Sequence, residues 1–564
     1  MYDDNVSKLS GCESLRLPVS LTSFRLRSFD VLSNVKNLGV CCPSLTTLHL
    51  STDHNYSNSD ALSSLPPTLT SVTLDSAFPS PVPLDSLRLP RLLHLSCLRT
   101  DILFSNLVVG WPDQLETLRC RLIVSSLRHL LAVPFPLSLR TFEVHLIYGE
   151  PLEVDSLAFP WQTLPSTITD LRFEGRNTPP PAEWLLGLQS LLHFHFLRKV
   201  VTYTSYENID VIDRLNYYRH LPPTVKTFRY SIGPVFETIH RYTPMELLPE
   251  LPKRLELLEI AQPSAQDESK LSPSSFASTL PLFRSLLHLE LFNIGEAMCG
   301  EKLELPQGLQ TLAFGLDLQT QTRPPCLLLW SLPSSLVSLD APRHLFSPDL
   351  GAKVLPRNLT SLKCLSVAFA AACFAPHFLP PTLTELVLIV AMKVSALPLP
   401  SKELNADMCE GTLHPAKDVL PPALRRLHIQ SLPSGTHSGS LYNIEPWLST
   451  LSPTSPLESL VVEGPMLTMN KGGDFLLRLP PTLTLLHSPA INYSGKHFAN
   501  LPRALTSLKL QHLDWSWLDT KVEHIPLLPP GLLELELHAA NPLKSAVRSH
   551  LRHVRELNMI YKKG

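Results

Sequence analysis

The tripeptide His193-Phe194-His195 places two side chains of the right type at a spacing that could do chemistry. If it lies on a strand, alternation sends both imidazoles to one face, the beginning of a zinc site. Two imidazoles fall short of the three or four protein ligands such a site takes. His94 and His288 follow the same Leu-Leu pair as His193, so a shared repeat origin explains these histidines and no metal is expected. Gly435-Thr436-His437-Ser438-Gly439 approaches a nucleophile elbow, but its serine is displaced by one position. No His-Glu-x-x-His pair or phosphate-binding Gly-x-x-x-x-Gly-Lys loop occurs, and the ten cysteines form no Cys-x-x-Cys pair. The chain therefore carries no sign of a catalytic residue or a cofactor, and a non-enzyme is expected.

What remains is a set of cations, Arg119, Arg121, Arg172, His195 and Arg229. Gathered on one surface, they would grip an acidic segment of a protein partner. Glu143, Asp170 and Glu174 fall among them, so a second reading stands beside the first: opposite charges pairing across neighbouring strands on a solvated face. Both readings need elements that bring distant segments together.

Those elements are written as a repeat. "LPPTLTELVL" at 379–388 recurs almost unchanged at 65–74 ("LPPTLTSVTL"), 501–510 ("LPRALTSLKL") and 528–537 ("LPPGLLELEL"). We write the phrase L-P-x-x-Φ-x-x-Φ-x-Φ and number the first Φ as position 0. Most copies open on Leu-Pro, and Trp111-Pro112 and Phe135-Pro136 open two more. The commonest steps between successive positions 0 are 23 and 24 residues, with others from 22 up to 41 where insertions lengthen the repeat. Positions 3 and 5 are apolar in nearly every copy, with Ser488 and Tyr230 as departures; positions 2 and 4 are mostly Ser, Thr, Arg, His, Glu and Lys. That alternation predicts one short strand per copy, buried on one face and wet on the other. Cys97, Cys120 and Cys364 occupy position 5 and read as small core residues. The proline three residues before position 0 sits at a corner, where its fixed φ aims the chain into the strand without removing a ladder donor.

The period and the L-x-x-L-x-L core resemble the leucine-rich-repeat superfamily. The Leu-Pro start resembles its FNIP-type branch, with "LPQGLQTLAFG" at 305–315 as the nearest copy. It is also similar to the Leu-Pro repeats of some bacterial effectors. Those effectors carry a separate domain with a nucleophilic cysteine, and no cysteine follows Cys409 here. The asparagine that usually bonds the corner after the last leucine is mostly replaced, by Ala77, Gly233 and Pro263 for instance. The resemblance implies a strand-rich solenoid of about 20 to 21 short parallel strands lining a concave face, with extended, 3-10 and occasional helical returns on the other side. It implies a recognition scaffold and, in one version, a substrate-recognition arm in ubiquitin ligation.

Residues 1–16 read as a short N-terminal cap or truncated start, 17–540 as the solenoid, and 541–564 as a capping helix followed by a last strand. Loop-like insertions fall near 261–278, 391–418 and 431–446, and returns that can hold helices at 31–39, 125–133, 182–188 and 206–218. Trp515 and Trp517 form a second candidate surface on the return side. A net charge of −2 and a pI near 6.9 argue against general binding of nucleic acid or anionic membrane; nucleic-acid or polyanion binding through the basic N-terminal half of the concave face is the alternative. Apolar stretches such as 367–375 are far shorter than a membrane span, and no signal peptide opens the chain, so a cytoplasmic location is expected.

Overall fold

The structure is a computed structural model that describes the turn and strand of each repeat. The blocks are 18–26, 38–52, 65–76, 89–103, 111–123, 134–147, 164–175, 187–198, 221–232, 251–261, 279–292, 304–315, 332–341, 355–367, 379–391, 420–431, 451–463, 478–488, 500–513, 528–539 and 556–561, with short pieces at 82–83, 185, 442–443, 448, 467–468, 476 and 554. The chain divides into two compact units, Met1–Ala265 and Gln266–Gly564.

In the first unit the strands Ser23–Leu26, Thr47–Thr52, Ser71–Ser76, His94–Leu103, Thr117–Ile123, Thr141–Ile147, Asp170–Gly175, His193–Arg198, Thr227–Ile232 and Leu257–Ala261 follow one another. Each pairs in parallel with the next, so chain order and sheet order coincide. The second unit repeats this from His288–Phe292 to Glu556–Tyr561. Register holds position against position: Phe142 faces Leu171, Leu171 faces Phe194, and Phe194 faces Phe228.

The alternation read from the sequence decides which face is buried. Leu118, Phe142, Leu171 and Phe194 at position 3 are fully buried, as are Leu115, Leu139, Ile168 and Leu191 at position 0. Cys97 and Cys120 are buried at position 5, and burial pushes the Cys120 thiol well above its ordinary range. Ser488 and Tyr230 are buried as well, so the polar departures keep their place in the core column. Where aromatic residues replace the opening leucine they stack, Trp111 on Phe135 with ring centroids 5.7 Å apart.

Each strand begins from the same turn. The amide of the residue at position 0 donates to the carbonyl of the repeat's proline, Leu69 to Pro66 at 3.2 Å and Leu383 to Pro380 at 3.1 Å. A second proline, Pro67 or Pro381, then occupies the i+1 site that favours it. The amides at positions 1 and 2 both donate to one carbonyl of the preceding repeat: Thr70 and Ser71 meet Thr46 at 2.8 and 3.1 Å.

A further ladder runs through the residue just before position 0. The hydroxyl of Thr68 reaches the carbonyls of Pro43 and Leu45 at 2.9 and 2.7 Å, and that of Ser335 reaches Gln307 and Leu309 at 2.6 and 2.7 Å. Ser138, Thr224, Thr382 and Thr482 make the same pair of contacts. Side-chain oxygens thus tie these turns to the ones before them; the corners after the strands, where Ala77, Gly233 and Pro263 replace the usual asparagine, lie outside the described residues.

Among the described residues, helix includes one turn at Leu38–Cys41 and a 3-10 turn at Leu280–Leu282. The helical expectations at 125–133 and 206–218, the capping helix after 540, Trp515, Trp517, the Gly435–Gly439 loop and most of the three insertions lie outside the described residues.

Candidate functional site

The outward face of the first unit is set by register. Position 4 of successive strands brings Arg119, Glu143, Arg172, His195, Arg229 and Glu259 into one row, each opposite the next. Neighbouring strands lie about 4.8 Å apart, so these side chains interact directly. Position 2 adds Asp170 beside Arg172, and position 6 adds Arg121, His145 and Glu174.

Glu143 gathers three of the basic groups. Its carboxylate lies 3.3 Å from Arg119 Nε and 4.0 Å from Arg172 Nη1, and it accepts from His145 Nε2 at 2.8 Å. Burial alone would raise this carboxyl; the His145 hydrogen bond and the two guanidiniums outweigh it and hold Glu143 below its ordinary value. His145 also faces Glu174, with Nδ1 3.0 Å from Oε2. Burial disfavours the imidazolium, but both ring nitrogens donate to carboxylates, and the histidine titrates at about 9.

Arg172 donates through Nε and Nη2 to Asp170 at 3.2 and 3.4 Å. Arg229 Nε is 3.1 Å from Glu259 Oε2. His195 lies between these two arginines. Burial, then Arg172, then Arg229 push its ring below the ordinary histidine value, so it is neutral at pH 7. Beneath it Phe194 stacks on Phe228, centroids 5.9 Å apart.

Of the predicted cations, register therefore brings all five onto one face in the strands from Thr117–Ile123 to Thr227–Ile232. Arg119, Arg172 and Arg229 each hold an acid, while Arg121 stands opposite His145. Sequence reasoning missed Glu259 and His145. Both were readable: each stands in an outward column one repeat from an arginine already singled out. His193 is exposed, and among the described residues no group of three His, Cys, Asp or Glu side chains offers a metal site. Two guanidiniums flanking His195 repel a cation in any case.

The strands form a parallel ladder in chain order, one per 22- to 41-residue step, with leucines inward at positions 0, 3 and 5. The fold is a leucine-rich-repeat solenoid. No protein-family model and no curated protein matches the chain. Among solved structures it is similar to one titled as a TLR13–ssRNA13 complex, at 15% identity and a TM-score of 0.44, over 95% of this chain and 74% of that one. It is similar to an internalin of Listeria monocytogenes at 13% identity and a TM-score of 0.27, over 65% of this chain and 81% of that one. A leucine-rich-repeat protein of Leptospira interrogans aligns at 12% identity and a TM-score of 0.36, over 77% of this chain and 95% of that one.

The solenoid's second unit carries a sparser outward row. Lys363 meets Asp340 at 3.0 Å and Lys509 meets Glu536 at 3.2 Å, but Val387 and Val461 interrupt the charges between them. Glu463 receives His428 at 2.8 Å and has His487 at 3.9 Å. Among the described residues no helix is long and apolar enough to cross a membrane.

Proposed function

We propose that this protein is a non-catalytic recognition scaffold whose first unit binds a protein partner through the outward face of its sheet. The observation that carries the reading is the row from Arg119 to Glu259, in which charged side chains are held in register by a backbone ladder beneath them. A surface whose rotamers are already tied by cross-strand ion pairs loses little freedom on binding, which favours specific association. Alternating sign along the row suits a partner of alternating sign with an acidic segment at its centre. Glu143, Asp170, Glu174 and Glu259 break up the positive field and disfavour a continuous polyanion such as nucleic acid. The FNIP-type resemblance supplies one setting, substrate recognition in ubiquitin ligation.

The test is to purify a partner captured from native lysate, rebuild the complex, and map amide hydrogen exchange. Protection centred on the strands Thr117–Ile123 to Thr227–Ile232 is expected. Protection confined to the second unit would remove the reading.

A further inference from the structure

Within the outward row, His195 differs from its neighbours. Arg119, Arg172, Arg229 and Lys226 each have a carboxylate within 3.3 Å. Among the described residues, no hydrogen-bond or ion-pair partner stands against the His195 ring. The flanking guanidiniums face other acids: Arg172 donates through Nε and Nη2 to Asp170, and Arg229 Nε lies 3.1 Å from Glu259 without a hydrogen bond to it. That leaves Nη1 of Arg172, 4.0 Å from Glu143, and the Nη groups of Arg229 without a described acceptor at hydrogen-bond distance. A half-buried imidazole and two guanidiniums with donors to spare thus stand side by side on the outward face, each opposite the next in register.

Resting on the recognition reading above, we propose that Arg172, His195 and Arg229 form a notch for a single Asp or Glu side chain of the partner protein, and that His195 takes up a proton from solvent when that side chain docks. The charged and titratable groups facing His195 are Asp170, Arg172 and Glu174 on the preceding strand, Glu143 one strand beyond, Arg229 on the following strand, and His193 beside it. Burial first, and then these two cations, the nearest in register, hold the ring below its ordinary value in the free protein. A docked carboxylate reverses that balance: it accepts from the imidazolium and from both guanidiniums, so protonation and binding favour each other. The acids around the notch bound it on either side, which admits an isolated carboxylate and repels a chain of closely spaced phosphates.

The probe is a fluorescein-labelled, C-terminally amidated peptide with a single acid, Lys-Ser-Glu-Ser-Lys, titrated with the full chain by anisotropy at pH 7.5 and 6.0. The variants are His195→Gln, which keeps a donor but does not titrate, and Arg25→Gln, away from the notch. Circular dichroism confirms that each folds. Wild type and Arg25→Gln are expected to bind about fivefold more tightly at pH 6.0, since linkage allows up to tenfold per pH unit for one proton. His195→Gln is expected to show no pH dependence. Equal pH dependence in wild type and His195→Gln would overturn the proposal, as would absence of saturable binding by wild type. Tighter binding of a six-nucleotide oligouridylate than of the single-glutamate peptide would overturn it in favour of a nucleic-acid ligand. If the peptide fails while the captured partner still protects the strands around His195, only the notch is lost; if that protection is also missing, the recognition reading goes with it.

Discussion

Replacing Gly308 by serine should stabilise the second unit, and the amount can be worked from its neighbours. Gly308 occupies the place that Ser335 fills one repeat later, just before position 0. A Cβ there would lie 3.6 Å from the Arg284 carbonyl and 4.0 Å from that of Leu286, which is ordinary contact, and the backbone is outside the left-handed region. Ser335 shows what the added hydroxyl would do, reaching the corresponding carbonyls of Gln307 and Leu309 at 2.6 and 2.7 Å. Removing glycine's freedom in the unfolded chain is worth about 0.4–1 kcal/mol. One hydrogen bond at a partly exposed turn adds about 0.5–1 kcal/mol, since a hydroxyl has a single proton to give. The variant should therefore gain about 1–2 kcal/mol, and Gly308→Ala only the first part. Urea unfolding followed by circular dichroism measures both, provided the slope of the transition is unchanged. If serine proves no better than alanine at 308, the hydroxyl ladder does not hold the turns together and the reasoning fails.

Further outcomes follow from the site and the core. His145 titrates at about 9 in the folded chain against 6.5 when unfolded, so its contribution is fully present below about pH 6.5 and is lost as pH rises through 9. At most about 3 kcal/mol is at stake, and thermal melts between pH 6 and 10 should fall more steeply for wild type than for His145→Gln. Glu143→Gln leaves Arg119, Arg172 and His145 around a neutral amide and should cost about 2 kcal/mol in urea unfolding, since that side chain is only 12% exposed. Arg229 is 43% exposed, so a double-mutant cycle between it and Glu259 should return no more than about 1 kcal/mol of coupling. Phe142→Ala, in the fully buried column, should cost about 3–5 kcal/mol, whereas Leu137→Ser at a site 77% exposed should stay within about 0.5 kcal/mol.

The buried columns were legible because hydrophobic burial acts on every repeat in the same way. Leu118, Phe142 and Phe194 differ in shape but answer the same demand, and even Ser488 was readable as a departure within a core column. The turn was legible in part. Pro66 and Pro380 mark corners, but the hydroxyl ladder before position 0 was not legible, because its acceptors lie a full repeat upstream. For the outward face, the sequence showed which cations would share a surface. Whether Arg229 meets Glu259, or His145 sits between two acids, depends on rotamers that follow only from register and local packing.

The doubled amide contact between repeats takes no account of what separates them. Thr46 receives Thr70 and Ser71, 24 and 25 residues on, at 2.8 and 3.1 Å; Thr384 receives Arg425 and Arg426, 41 and 42 residues on, at 2.8 and 2.9 Å. Closing the longer loop costs only about 0.5 kcal/mol more by chain entropy. Growth of the connecting segments is therefore nearly neutral, whereas a one-residue shift within a strand would turn the row of charges inward. Such a chain can acquire new sequence between its strands, even an entire inserted module, while the surface it already presents stays the same.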